Sequence, residues 1–189
     1  MIDLAIQHVA AQLNDALRSR FSVPDDLVVA SSLLEPDGNT VPEVSNKIVV
    51  FLVNVERDTM PMRTLPQSGA GRLVQTRDPV FLNLLVMFAA NFSGNNYREA
   101  LKLLAGTIGF LQARPVFDRA NSPGLDARFE RITMEIENLN TAELSNLWGI
   151  LGSRYLPSVL YRLRMVTVDE GQVVTQVPRV QRPDVAAQA

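Results

Sequence analysis

Two long apolar runs, IVVFLVNV at 48–55 and VFLNLLVMFAANF at 80–92, constrain the fold of this chain more than any other feature. Each run is rich in β-branched and aromatic residues and lacks the polar alternation of a strand with one wet face. Such runs are typical of strands whose two faces are both covered. The sequence therefore predicts two central strands with other elements packed on both sides of the sheet.

Three segments have the period of amphipathic helices. The first stripe, near the start of the chain, comprises Ile2, Ile6, Val9, Leu13 and Leu17. Asn96 and Glu99 have capping-box spacing before a second helix, whose expected stripe comprises Tyr97, Leu101, Leu104, Ile108 and Leu111. Asn140 and Glu143 repeat that spacing before a short third helix, with Leu144, Leu147, Trp148 and Leu151 inward. Gly106 and Gly109 in the second helix suggest a close approach to the sheet.

Further strands are predicted at 27–30, in RFERITMEIENL, and from Val159 onward. In RFERITMEIENL, Ile132, Met134 and Ile136 alternate with polar residues, which indicates one wet face. In the last strand, Tyr161 and Leu163 oppose Arg162 and Arg164. The order of elements predicts an α+β (mixed α/β) fold, a mostly antiparallel sheet flanked by helices.

Two segments show no stripe that would hold them on a core. Residues 58–78 contain prolines and glycines without a clean period, and we expect an exposed excursion there. The tail from Gly171 is extended and broken by prolines. We therefore predict a domain at 1–170 and an extended C-terminal arm at 171–189.

Composition argues against most chemistry. The 189-residue chain has a net charge of −2 and no cysteine, which excludes thiolate sites and disulfides and gives no general field for nucleic acid or anionic membranes. A reducing compartment is compatible with the lack of cysteine, so a cytosolic origin is the default expectation, and no signal peptide or membrane span is recognisable. His8 lies off the first stripe and is predicted to be an exposed surface residue. We expect no catalytic, cofactor-binding or metal-binding residues.

Several weaker patterns favour ordinary structure over a site. Ser68–Arg72, SGAGR, lacks the Lys-Ser/Thr pair of a phosphate loop. The carboxylate pairs Asp25–Asp26 and Glu135/Glu137 lie in an expected turn and on an expected strand face. Trp148 is interpreted mainly as a core residue that holds its short helix in place.

Arginines cluster near the end of the chain, and two interpretations remain open for them. Arg162 and Arg164 share one face of the last strand, with Arg154, Arg179 and Arg182 nearby in sequence. They form either a solvated or salt-bridged strand face, or a contact surface for another subunit, for which the rigid guanidinium is well suited.

An ordered series of segments over about residues 3–169 resembles the terminator, or cap, proteins of extracellular contractile injection systems, the phage-tail-like particles of the antifeeding prophage and Photorhabdus virulence cassette type. The segments are FLVNVER at 51–57, LNLLV at 82–86, LQARPV at 111–116, LSNLW at 144–148 and YLPSVLY at 155–161. The excursion at 59–78 and the short tail after Gly171 depart from the family pattern.

The resemblance implies a structural protein with a phage tail terminator-like fold. It implies a homo-hexameric ring that binds the inner tube and sheath proteins, closes their distal end and stops growth, with assembly in the bacterial cytoplasm and then a place in a particle that can be released. It also implies a structural keystone, formed by Leu147, Trp148, Tyr155 and Tyr161. An adaptor that uses its arm, and an enzyme that uses His8, are the alternatives.

A closed ring needs contacts between unlike surfaces of neighbouring subunits. We expect residues 171–183, and the loop 59–78 as a second candidate, to pair with a neighbour or with extended sheath segments through backbone hydrogen bonds. The interface candidates are Arg154, Arg162, Arg164, Val173, Val174, Val177, Arg179 and Arg182.

Overall fold

The computed structural model describes residues 1–35, 37–58, 68–69, 72–76, 80–168 and 173–178. The helices are α1 (Ile2–Phe21), α2 (Tyr97–Ala113) and α3 (Thr141–Ile150), with a short 3₁₀ helix at Pro42–Val44. The strands are β1 (Val28–Ala30), β2 (Lys47–Arg57), β3 (Ser68–Gly69), β4 (Arg72–Thr76), β5 (Val80–Asn91), β6 (Val116–Asp118), β7 (Arg131–Glu137), β8 (Ser158–Val168) and β9 (Val173–Pro178).

The main sheet has six strands in the order β1-β2-β5-β8-β7-β6. β1 pairs with β2 in parallel, and every other neighbouring pair in this sheet is antiparallel. The two long apolar runs form β2 and β5. β5 is one of the two middle strands, as predicted, whereas β2 lies second from the edge and pairs with β1 only over three residues, so its predicted central place is wrong. The predicted α+β fold with a mostly antiparallel sheet is confirmed.

Both faces of β2 are covered over residues 48–51, as the continuous apolar run predicts, whereas Leu52 and Val55 in the second half of that run are 37% and 39% exposed. On β2, Ile48 and Val50 belong to the core beneath α1 and α2, whereas Val49 and Phe51 belong to a second core with α3. All four side chains are at most 8% exposed. Burial on both sides explains why this part of β2 lacks polar alternation.

The expected stripe of α1 is confirmed. Its buried positions are Ala5, Ile6, Val9, Ala10, Leu13 and Leu17. α1 packs beside α2, where a Cβ built on Gly106 would lie 2.9 Å from Leu17 Cδ2 and 3.3 Å from Phe21 Cε2. The close approach predicted for Gly106 therefore exists, but its partner is α1 and not the sheet.

The expected stripe of α2 is largely wrong. Tyr97, Leu101 and Ile108 are 61%, 42% and 36% exposed. The buried positions are Ala100, Leu103, Gly106, Thr107 and Leu111. Two faces of α2 are apolar enough to be buried, and the face with small residues packs inward because it lets the helix approach its neighbours closely.

The capping box predicted for α2 is absent. Asn96 is the N-cap residue of α2, but its side chain makes no capping hydrogen bond. Glu99 instead forms an ion pair with Lys102, at 2.7 Å. Spacing alone therefore did not distinguish a capping glutamate from one that pairs along the helix.

The capping box of α3 is confirmed. The Asn140 side chain accepts a hydrogen bond from the Glu143 amide at 2.9 Å, and Glu143 Oε2 accepts one from the Asn140 amide at 2.9 Å. The preceding strand, β7, alternates as predicted for Ile132 and Met134, which are 0% and 3% exposed. Ile136 was expected on the same buried face, but it is 51% exposed because it lies near the strand end.

β4 pairs with β9 in antiparallel register from Arg72 opposite Pro178 to Thr76 opposite Val173, and β3 adds to β4. The excursion at 58–78 therefore contains two short strands, where no regular structure was expected. It pairs with the C-terminal arm of the same chain, and β3, β4 and β9 form a second, three-stranded sheet.

Candidate functional site

The polar face of β8 holds an ion-pair network that joins three strands. Arg162 Nε donates to Glu137 on β7 at 3.0 Å, and Arg162 Nη1 donates to Glu56 on β2 at 2.9 Å. The hydrogen bond to Glu137 is the largest cause of a raised pKa of the Arg162 guanidinium. Arg162 is thus engaged at both sides within its own chain.

Arg164 makes a second set of ion pairs beside the first. Its Nη2 lies 3.7 Å from Asp58, and its Nη1 lies 3.4 Å from Glu135. Both arginine side chains are about one quarter exposed. Of the two interpretations of this strand face, the salt-bridged one is therefore present. A partner subunit that contacts Arg162 or Arg164 would meet guanidinium groups that already have carboxylate partners.

The other interface candidates are spread along the end of the chain. Arg154 is exposed in the connection between α3 and β8. Val173, Val174 and Val177 lie in β9, which pairs with β4. Arg179 and Arg182 lie outside the described residues. The arm is thus brought to the excursion at 58–78, and the interface candidates do not form one cluster.

The expected keystone residues lie on two faces of the sheet. Trp148 is 4% exposed and packs in the α3 core with Phe51, Met87 and Leu160. Its ring meets Tyr155 edge to face, with ring centroids 6.0 Å apart.

The other two keystone residues lie on different faces of the sheet. Leu147 packs at the border of the α3 core, whereas Tyr161 belongs to the opposite core and contacts Phe88, with ring centroids 5.5 Å apart. Burial raises the pKa of the Tyr161 hydroxyl. Trp148 and Tyr155 therefore hold α3 against the beginning of β8, while Tyr161 anchors β8 on the other face of the sheet.

His8 is not the exposed residue that was predicted. It is half-buried, and its ring meets Phe117 of β6 edge to face at a centroid distance of 5.9 Å. Its Nε2 is buried and has no hydrogen-bond partner among the described residues. Burial lowers the pKa of His8 and favours the neutral ring. His8 lies off the buried stripe of α1, as predicted, but Phe117 of β6 covers this side of the helix.

The described part of the chain offers little that resembles a reactive site. Within it, no three His, Cys, Asp or Glu residues lie close enough to hold a metal ion. Asp26, expected in a solvated turn, accepts hydrogen bonds from Asn14 and Arg18 at 2.8 and 3.5 Å. Glu135 and Glu137 serve as ion-pair partners. No helix in the described ranges is long and apolar enough to cross a membrane.

Sequence reasoning missed two features of this surface. Glu56 and Asp58 were not recognised as partners of the β8 arginines, although their place at the end of a long strand is a usable signal. The sequence also did not indicate that β1 pairs with only three residues of β2, Ile48–Val50, because the length of β1 cannot be inferred from the residues of β2.

Comparison with known proteins gives one family and two solved structures. The family model described as the Pvc16 N-terminal domain matches residues 6–182. The cap of the anti-feeding prophage, a tube terminating cap, superposes with a TM-score of 0.54 at 17% identity over 91% of this chain. The sheath/tube terminator of PVC, an extracellular contractile injection system, superposes in its extended state with a TM-score of 0.56 at 18% identity over 95%.

These similarities cover only part of the two larger proteins. The chain spans 60% of the anti-feeding prophage cap and 63% of the PVC terminator. No curated protein matches the chain significantly. The expected resemblance to tail terminators of contractile injection systems is confirmed for family and fold.

Proposed function

Because the chain belongs to the Pvc16 N-terminal domain family, we propose that it is a structural terminator, or cap, of a phage-tail-like contractile injection particle. The observation that carries this proposal is the agreement over nearly the whole chain with the folds of two tube terminators. In this role the protein forms a homo-hexameric ring over the last layer of inner tube and sheath and stops their growth.

In this proposed role, the two parts of the chain have different tasks. Residues 1–170 form the body of the cap and residues 171–189 its arm. The α3 keystone fixes where β8 begins, since Trp148 packs with Leu160, the third residue of that strand. Arg154 and the arm valines then lie at contacts between subunits or with the sheath.

A cap acts by shape, and the proposal assigns no catalytic group to it. Two cores on opposite sides of one sheet make a rigid plate, which is what repeated presentation of the same surface around a ring requires. The ion pairs of Arg162 and Arg164 connect β2, β7 and β8 across one face of this sheet. The protein assembles in the bacterial cytoplasm and becomes part of the particle.

Particle length tests the function directly. In cells that lack the chain, we expect tubes and sheaths of uncontrolled length by electron microscopy, and restoration of uniform length by the intact gene. Native mass measurement of the purified chain should show a hexamer, alone or on tube ends. Uniform, stable particles without the chain would refute the terminator role, and a strict monomer on tube ends would favour an adaptor.

A further inference from the structure

Most edge strands of the two sheets are short. β1 and β6, the outer strands of the main sheet, have three residues each, and β3 has two. Short edge strands are a common means of preventing unwanted strand pairing. Two longer edges remain in the described part of the chain: the outer side of β2 and the outer side of β9.

The open part of β2 begins where β1 ends. β1 pairs only with Ile48–Val50, and among the described residues no strand pairs with the same side of β2 from Phe51 to Arg57. The Val50 carbonyl accepts from Ser31 on the outer side, at 3.2 Å, whereas the Asp58 amide donates to Phe81 on the β5 side, at 2.8 Å. Strand alternation and the bulge between Leu52 and Asn54 then direct the backbone groups of Leu52, Val55 and Arg57 outward.

Apolar surface accompanies this open edge. Leu52 and Val55 are 37% and 39% exposed. A groove of about 330 Å³ lies where β1 leaves β2. Its lining includes the apolar residues Ile6, Val50 and Leu52 and the polar residues Asp3, Gln7 and Ser31. From Phe51 to Val55 this edge contains neither a proline nor a charged residue, which are usual devices that keep an edge strand unpaired.

β9 is the second long edge. Its six residues, VVTQVP, pair with β4 on one side, and no described strand pairs with the other side. The segment is uncharged, β-branched at four of its first five positions, and free of proline until Pro178. Its length is close to that of the open stretch of β2, and the backbone groups of every second residue point away from β4.

We infer that β9 of one copy adds to the open edge of β2, residues 51–57, in a second copy of this chain. This inference rests on the proposed ring and names the contact that closes it. The donor and acceptor edges are different surfaces, so each copy can give one strand and receive one, which is the arrangement that a closed ring requires. Backbone hydrogen bonds supply the affinity, as in other cases of strand addition.

The cysteine-free sequence allows a direct test by disulfide crosslinking in the full chain. Val55→Cys is made in one protein, and Val174→Cys, Thr175→Cys or Gln176→Cys in another, and each pair is mixed under mild oxidation. Facing residues of paired strands have Cα atoms about 4.5–5.5 Å apart, within the range of a disulfide. Asn95→Cys, in the exposed turn before α2, is the matched control partner.

The inference predicts a crosslinked dimer for at least one β9 position with Val55→Cys, and none above background with Asn95→Cys. A chain that carries both cysteines should give a ladder that ends at the ring. If native mass measurement shows a ring but β9 does not crosslink to β2, the inference is wrong while the proposed function stands. If no oligomer forms, on tube ends or free, both are wrong. Crosslinking of Val55→Cys with itself would also overturn the inference.

A second pair of variants keeps the test independent of crosslinking. Val55→Pro removes one outward amide, whereas Val55→Thr keeps it on a strand-compatible residue. We expect Val55→Pro to weaken ring formation about tenfold or more and Val55→Thr to change it less than about threefold. Circular dichroism shows whether both variants remain folded. Equal association of the two folded variants would contradict the inference.

Discussion

Replacement of Trp148 by alanine is the sharpest test of how α3 is held. The tryptophan is 4% exposed, so nearly all of its roughly 200–250 Å² is buried. At about 25 cal/mol per Å² this is worth roughly 5–6 kcal/mol, which is an upper bound because the unfolded chain already buries part of this area. Measured truncations of buried aromatic residues cost about 3–5 kcal/mol. We expect Trp148→Ala to lower the free energy of unfolding by that amount.

The stability lost in Trp148→Ala should come mainly from α3. α3 has ten residues, which is too short to persist without packing. Without Trp148, its remaining anchors at the core are the half-buried Leu144, Leu147 and Leu151. Amide exchange in 141–150 should therefore accelerate more than exchange in β5. Trp148 Nε1 has no hydrogen-bond partner among the described residues, so Trp148→Phe should cost clearly less than Trp148→Ala.

Ile150→Ala is the matched control, because it lies on the same helix and is 86% exposed. Its effect should stay within about 0.5 kcal/mol. Urea unfolding, followed by circular dichroism at low protein concentration, gives both values without a contribution from assembly. Equal losses for Trp148→Ala and Ile150→Ala would refute the assignment of Trp148 as the residue that fixes α3.

Three further predictions concern the cap, helix packing and pH. Asn140→Ala should cost about 1 kcal/mol in urea unfolding because it removes a formed capping box, whereas Asn96→Ala should cost much less because its side chain makes no capping bond. Gly106→Ala should be about 1–3 kcal/mol less stable than Gly109→Ala by the same measurement. A Cβ at Gly106 would lie 2.9 Å from a buried leucine, whereas a Cβ at Gly109 would lie 3.6 Å from a flexible arginine. Equal stabilities of the two variants would show that α1 can shift to accept the extra methyl group without cost. The lowered pKa of His8 means that the unfolded chain protonates first, so stability should fall as pH decreases below about 6.5, and a pH series should show a smaller fall for His8→Gln.

Patterns of period and composition determined the parts of this protein that depend on neighbours in sequence. The buried stripe of α1, the two-sided burial of β5 and of β2 up to Phe51, and the capping box at Asn140 all follow from residues within a few positions of one another. The order of such segments also indicated the terminator family. Local patterns are reliable here because each of these elements has one face, or two, that can only be buried.

The tertiary structure decided what local patterns leave ambiguous. α2 carries two apolar stripes, and only the packing of α1 against Gly106 selects the one with small residues. His8 is covered by Phe117, more than one hundred residues later, and β9 pairs with β4 over a similar separation. The pairing of distant segments depends on the total free energy of the assembled core and not on the propensity of either segment. For this reason the second sheet and the open edge of β2 could be recognised only in the folded chain.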